Sequence, residues 1–229
     1  MRSLLPIALF SIFTSSIAIA DDTTRHFTAE ADAAYLKSTG SSNKETLKAR
    51  LDSQYKAGAW TYELKTEGLN ETDNDANMRT RERYLAMEKT SWSFTDRDYL
   101  FLKPQWEKDL QSGYEYQTFL AAGYGRKFIK SENINLSMDF GAGTRHSKED
   151  THLGGKSDDE AMSNVALKFE WKFLPNARFN EDASAETAKD SSVYRTRSAI
   201  TVNMTNVLGF SLIYETKRDT GPANTDDTL

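Results

Sequence analysis

Strict alternation of apolar and polar residues recurs along this chain, and a period of two over long segments admits little besides β-strands with one face hidden from water. In residues 26–37, Phe27, Ala29, Ala31, Ala33 and Tyr35 share one parity, and Thr28, Glu30 and Asp32 share the other. Leu47, Ala49, Leu51 and Tyr55 oppose Lys48, Arg50, Asp52 and Gln54; Trp60, Tyr62 and Leu64 oppose Thr61, Glu63, Lys65 and Glu67. The clearest case sets Ala161, Val165, Leu167, Phe169, Trp171 and Phe173 against Asn164, Lys168, Glu170 and Lys172. Eleven such segments lie near 26–37, 44–55, 60–70, 80–93, 99–109, 114–127, 133–145, 159–173, 178–187, 192–203 and 208–217, and a twelfth is expected to begin in the final TDDTL. Most reach about ten residues, longer than the usual strand of a soluble domain and long enough for a tilted strand to cross a hydrocarbon layer.

The connections point the same way. Tight ones at 56–59, 95–98, 130–132, 175–177 and 204–206 alternate with more polar ones at 38–43, 70–78, 109–113, 146–159, 188–192 and 218–227. Short turns at one end and longer loops at the other characterise an antiparallel up-and-down barrel in a bilayer. Aromatic residues fall at strand ends, where the two membrane interfaces would hold them. Tyr55 and Trp60 flank the first tight turn; Trp92, Phe94 and Tyr99 the second; Tyr124 and Phe128 the third; Trp171, Phe173 and Phe179 the fourth. Tyr35, Trp106, Tyr116, Tyr194 and Tyr214 mark the opposite rim. A secreted β-sandwich would alternate as well, but it needs neither long strands nor two aromatic girdles. The expected fold is therefore all-β, a transmembrane barrel of about twelve strands.

Residues 1–20 read as a secretory signal peptide: Arg2, an apolar run from Leu4 to Phe13, and Ala18-Ile19-Ala20 as a small-x-small cleavage pattern. Residues 21–229 then form the barrel domain. The chain has no Cys, so it has neither a disulfide framework nor a thiolate metal site. A net charge of -5 gives no basic field for nucleic acid.

The polar parity supplies the candidate site. Lys48, Arg50, Asp52, Glu63, Lys65, Glu67, Lys168, Glu170, Arg195 and Arg197 are expected to line the lumen, with Glu30, Asp32, Asp139, Lys172, Asp182, Glu186, Glu215 and Lys217 on the same parity. Charges of both signs at this density pair across strands or line a narrow aqueous path. Gly123-Tyr124-Gly125 and Gly141-Ala142-Gly143 each contain a GxG, but no helix follows to make a phosphate loop. All four glycines share the lumen parity, where they relieve curvature or leave room for large side chains opposite. His146 and His152 share the longest loop with Glu149, Asp150, Ser147 and Ser157. A solvated loop explains these residues as well as a metal or a nucleophile does, so no metal, cofactor or catalytic residue is expected.

The stretch from Arg81 to Lys127, then Leu136-Ser-Met-Asp-Phe-Gly-Ala-Gly-Thr-Arg-His-Ser, then Ser157 to Phe173, resembles the salt-induced outer-membrane protein family of Gram-negative bacteria (domain of unknown function 481). The most specific parts are Asp109 to Tyr114, Ala-Gly-Tyr-Gly at 122–125, and Gly141-Ala142-Gly143 followed by Arg145. The resemblance implies an outer-membrane barrel with no assigned activity, and it supplies the link to salt stress. Family chains run on into a last strand ending in an aromatic residue; this sequence stops at Leu229, so either its twelfth strand is cut short or the chain closes differently. The expected partners are outer-membrane lipids and the barrel assembly machinery. The expected role is non-enzymatic, a narrow solute or ion channel or a structural envelope protein. The alternatives are a barrel enzyme with a site at the rim and a secreted sandwich that binds a ligand.

Overall fold

Each alternating segment becomes one strand. The computed structural model describes residues 9–20, 25–38, 43–76, 78–151, 154–189, 191–205 and 208–220. Its strands are β1 (Leu9–Ala20), β2 (Arg25–Ser38), β3 (Lys44–Ala57), β4 (Trp60–Asp73), β5 (Met78–Ser93), β6 (Asp98–Asp109), β7 (Tyr114–Lys130), β8 (Ile134–Glu149), β9 (Ser157–Leu174), β10 (Ala177–Ala188), β11 (Ser192–Asn203) and β12 (Leu208–Asp219). Each pairs antiparallel with the next in sequence, so β2 to β12 form one continuous eleven-stranded up-and-down sheet. No helix interrupts it among the described residues.

An odd number of meandering strands leaves the first and last running in the same direction. Between β2 and β12 there is accordingly a place for one antiparallel strand, and β1 takes it. It pairs with β2 along its whole length, from Leu9↔Lys37 to Ala20↔His26, and among the described residues it pairs with β12 at Thr14↔Gly209 and Ser15↔Leu208. The twelfth strand of the ring is thus Leu9–Ala20, inside the segment whose sequence reads as a leader, and the expected start of a strand in the final TDDTL lies outside the described residues.

Strand ends depart from the sequence reading in one systematic way. The expected connections at 146–159 and 70–78 shrink because β8 continues to Glu149, β9 begins at Ser157, β4 reaches Asp73 and β5 begins at Met78. Alternation persists there in polar form, with Arg145 and Ser147 buried while His146 pairs with Asp159 and Lys148 with Ser157. The two ends of the sheet therefore differ less in loop length than expected, the longest connection being 150–156. At the tight end, Gly58 supplies the positive φ that the turn between β3 and β4 requires.

The sheet is inverted relative to a soluble fold. Leu51, Leu64, Leu100, Leu102, Leu120, Phe140, Val165, Ile200 and Leu212 are exposed, whereas Arg50, Lys89, Lys103, Glu107, Arg145 and Glu186 are buried. Aromatic residues ring the tight-turn end of the outer face. Tyr55 stacks on Tyr62 at 6.3 Å between centroids, Trp60 on Tyr62 at 6.4 Å, and Trp171 lies 5.6 Å from Phe173.

Tyr99 is a correction to that girdle. It and Phe101 face inward on β6, opposite Gly125 and Gly123 of β7, and both are buried. The glycines make the room: a Cβ at Gly123 would overlap the Phe140 carbonyl oxygen and come within 2.9 Å of Phe101 Cζ, and one at Gly125 would overlap the Tyr99 ring. Gly123→Ala is therefore expected to cost about 1–3 kcal/mol of stability through overpacking against backbone. Gly68→Ala, whose Cβ meets only Tyr84 at 3.7 Å, should be tolerated. Urea midpoints in detergent measure the difference, and equal midpoints would contradict the packing.

Candidate functional site

Inward-facing residues of every described strand from β2 to β12 except β7 line a chamber of about 1100 Å³. On β7 the inward Phe119 and Ala121 are covered by Met162 of β9. Chamber walls carry charge at three levels, and much of it is matched across the lumen rather than between neighbouring strands.

Glu107 is the hub at the loop end. It is 1% exposed and takes three cations: Arg83 Nε at 3.0 Å, Lys217 Nζ at 2.9 Å, and Arg195 through its other oxygen. Lys217 also reaches Asp109 at 2.6 Å, and Arg195 reaches Glu186 at 2.6 Å, which in turn accepts from Lys103 at 3.2 Å. β6 and β12 stand diametrically opposite in the ring, so the Glu107–Lys217 pair spans the lumen. Beside this hub, buried Arg145 pairs with Glu160 and donates to Ser191.

At mid-height, Glu67 accepts from Lys65 at 3.0 Å and lies 3.7 Å from Arg50, which pairs with Asp52. Arg197 bridges Asp32 and Glu215, each at 3.2 Å, and Lys48 pairs with Glu215. Toward the tight turns, Lys168 of β9 crosses to Glu63 of β4, and Arg178 of β10 reaches Glu30 of β2 at 2.6 Å. There Asp139 accepts from Lys89 at 2.5 Å and from the Tyr99 hydroxyl at 2.6 Å, and Lys89 Nζ sits 5.0 Å from the centroids of both Tyr99 and Phe101. That arrangement adds cation–π attraction to the ion pair.

All ten residues singled out from parity line this chamber: Lys48, Arg50, Asp52, Glu63, Lys65, Glu67, Lys168, Glu170, Arg195 and Arg197. Glu170 accepts from Asn135 at 3.3 Å and lies 3.6 Å from Lys172. Sequence reasoning missed Arg83 and Lys89 on β5 and Lys103, Gln105 and Glu107 on β6. The signal was present in Lys103, Gln105, Glu107 and Asp109 alternating with Leu102, Pro104 and Trp106, but Tyr99 and Phe101 on the same parity masked it.

The loop constellation does not assemble. His146 points away from the lumen and lies 2.7 Å from Asp159, while Ser147 is buried and accepts from Gln117 at 3.1 Å. Histidine and serine therefore occupy opposite faces of β8, and His152 lies outside the described residues. Among the described residues no group of three or more His, Asp or Glu is placed to hold a metal. The GxG pairs lie within β7 and β8, where they accommodate Tyr99 and Phe101.

These features define an up-and-down β-barrel with an apolar outer face and an ion-paired interior. Residues 31–229 match the family described as protein of unknown function, DUF481, and the chain belongs to that family. It is also similar to the uncharacterized protein YdiY of Escherichia coli (strain K12), at 26% identity over 222 residues covering 92% of this chain and 86% of that protein.

Removing one member of a buried ion network leaves its partners uncompensated, at a cost of about 3–5 kcal/mol. Glu107→Gln should therefore lower the urea midpoint strongly. Glu45→Gln, which removes the exposed pair with Lys37, should leave it in place. Similar midpoints for both variants would show that the hub does not hold the barrel together.

Proposed function

We propose that this chain is an integral, non-enzymatic β-barrel of the Gram-negative outer membrane, with its lumen a closed, charged chamber rather than an open pore. The observation that carries the reading is the inversion of the sheet, with large apolar side chains outside and the charges inside. An apolar outer band flanked by aromatic residues matches hydrocarbon between two interfaces. Residues 1–20 are read as the export leader. The leader's strand then stands in the seam place that any closing strand must take, since β2 and β12 run in the same direction. Outer-membrane lipids and the barrel assembly machinery are the partners this reading requires, because a barrel with an apolar exterior must be delivered to its bilayer. The family resemblance supports osmotic stress as the physiological setting.

Closure is favoured by ion pairs that cross the lumen, Glu107 to Arg195 and Lys217 at one end and Glu63 to Lys168 toward the other. A second reading, a narrow solute or ion channel, is favoured by the chamber volume and its charged walls.

Planar-bilayer recording separates the two. The closed-chamber reading expects a folded barrel that is electrically silent, and expects Arg195→Gln with Arg197→Gln to lower thermal stability without creating conductance. Steady unitary currents in the unaltered protein, shifting toward cation selectivity in the double variant, would overturn it in favour of the channel.

A further inference from the structure

A carboxylate sits at the middle of the apolar outer face. Met87 and Lys89 of β5 turn into the chamber, so Glu88 between them points outward. It stands two outward positions from Trp92 at the tight-turn girdle and two from Tyr84 toward the loops, midway across the band. Across the ladder it faces the exposed Leu64 of β4, and Leu102 of β6 beside it is exposed as well. Glu88 Oε1 accepts from the Thr90 hydroxyl, and no cation pairs with the carboxylate among the described residues. One outward position beyond Leu64 is Thr66, a second hydroxyl on the same face. The ladder is interrupted at the same height: the β5–β6 pairing runs from Arg83↔Asp109 to Met87↔Gln105 and resumes at Thr90↔Leu102, and Pro104 in that interval has no N–H to donate. Glu181 of β10 also points outward, but it lies next to Phe179 at the girdle, where it accepts from Ser198.

We propose that this patch is the interface of a homodimer, in which Glu88 of each copy accepts a hydrogen bond from Thr66 of the other. The proposal rests on the reading of the outer face as lipid-facing. An ionisable side chain at the centre of a bilayer is costly unless a polar partner reaches it, and lipid tails carry no donor. A second copy does. Two copies inserted in the same sense are related by a two-fold axis along the bilayer normal, which brings equal depths of the two walls together. Each wall then offers one acceptor, the Glu88 oxygen not engaged by Thr90, and one donor, the Thr66 hydroxyl. The contact is self-complementary and forms two hydrogen bonds, with Leu64 and Leu102 packing at its flanks. The patch lies on β4 to β6, away from the closure between β2 and β12.

The chain has no Cys, so Asp96→Cys in the tight turn between β5 and β6 gives a single labelling site. Energy transfer between donor- and acceptor-labelled copies in phosphatidylcholine vesicles tests the dimer, with folding of every sample scored separately by heat-modifiable gel migration. Transfer that saturates with acceptor fraction and exceeds chance proximity is expected. Glu88→Leu in the same background should abolish it and leave the urea midpoint unchanged or higher, because an apolar group replaces a charged one on the lipid face. Thr66→Val, which keeps the shape and removes the donor, should weaken dimerisation about ten- to hundredfold. Chance-level transfer in the folded, otherwise unaltered barrel would overturn the proposal and leave Glu88 to a different membrane partner. Transfer unchanged in a folded Glu88→Leu barrel would overturn it as well, with the barrel reading still standing. A chain that never migrates as a folded barrel would overturn both.

Discussion

Closing a sheet on itself satisfies the backbone of every strand by its neighbours and leaves side chains only two directions to point. In this chain that constraint sorts residues by parity, and the sorting has the opposite sense to that of a soluble domain. Most leucines and all four tryptophans face out, while Arg50, Lys89, Lys103, Glu107, Arg145 and Glu186 face in. On the proposed reading such a surface lies against hydrocarbon, where only a closed or nearly closed ladder is tolerated. At the seam, β1 pairs with β12 at Thr14 and Ser15 among the described residues.

Interior charge is the second consequence of the inversion. Charges turned inward cannot rely on bulk water, so each needs a partner of opposite sign at close range. Cross-lumen pairs meet that need and also brace the walls, because Glu107 binds β5, β11 and β12 to β6 through Arg83, Arg195 and Lys217. A different device serves β7, where glycines at 123 and 125 let Tyr99 and Phe101 lie against the wall, with Lys89 and Asp139 on the same side. The lumen thus combines an aromatic-lined wall with an ion-paired chamber.

Much of this was legible from alternation because parity is a local property. The segment read at 208–217 became Leu208–Asp219 and that at 192–203 became Ser192–Asn203, and the ten charged residues chosen by parity all reached the chamber. What failed was whatever depends on chemistry of mixed character or on distant sequence. Tyr99 has an apolar ring and a hydroxyl; position near a turn suggested an interface, whereas its hydroxyl is bound to Asp139. His146 to Glu149 looked like loop because they are polar, though they continue the strand ladder beyond the apolar band. Which charges meet depends on the stagger of the barrel, so the pairing of Glu107 with Lys217 could not be read from either neighbourhood.

The central claim is that the apolar outer face lies against hydrocarbon, and the chain's own tryptophans report on it. Trp60, Trp92, Trp106 and Trp171 are all exposed on the outer face, three near the tight turns and Trp106 toward the loops. Fluorescence of the barrel reconstituted in vesicles of brominated lipids is the most direct measurement. The account predicts strong quenching by lipids brominated near the headgroup, with little further effect from a water-soluble quencher. Tryptophans insensitive to brominated lipid but open to the aqueous quencher would contradict it.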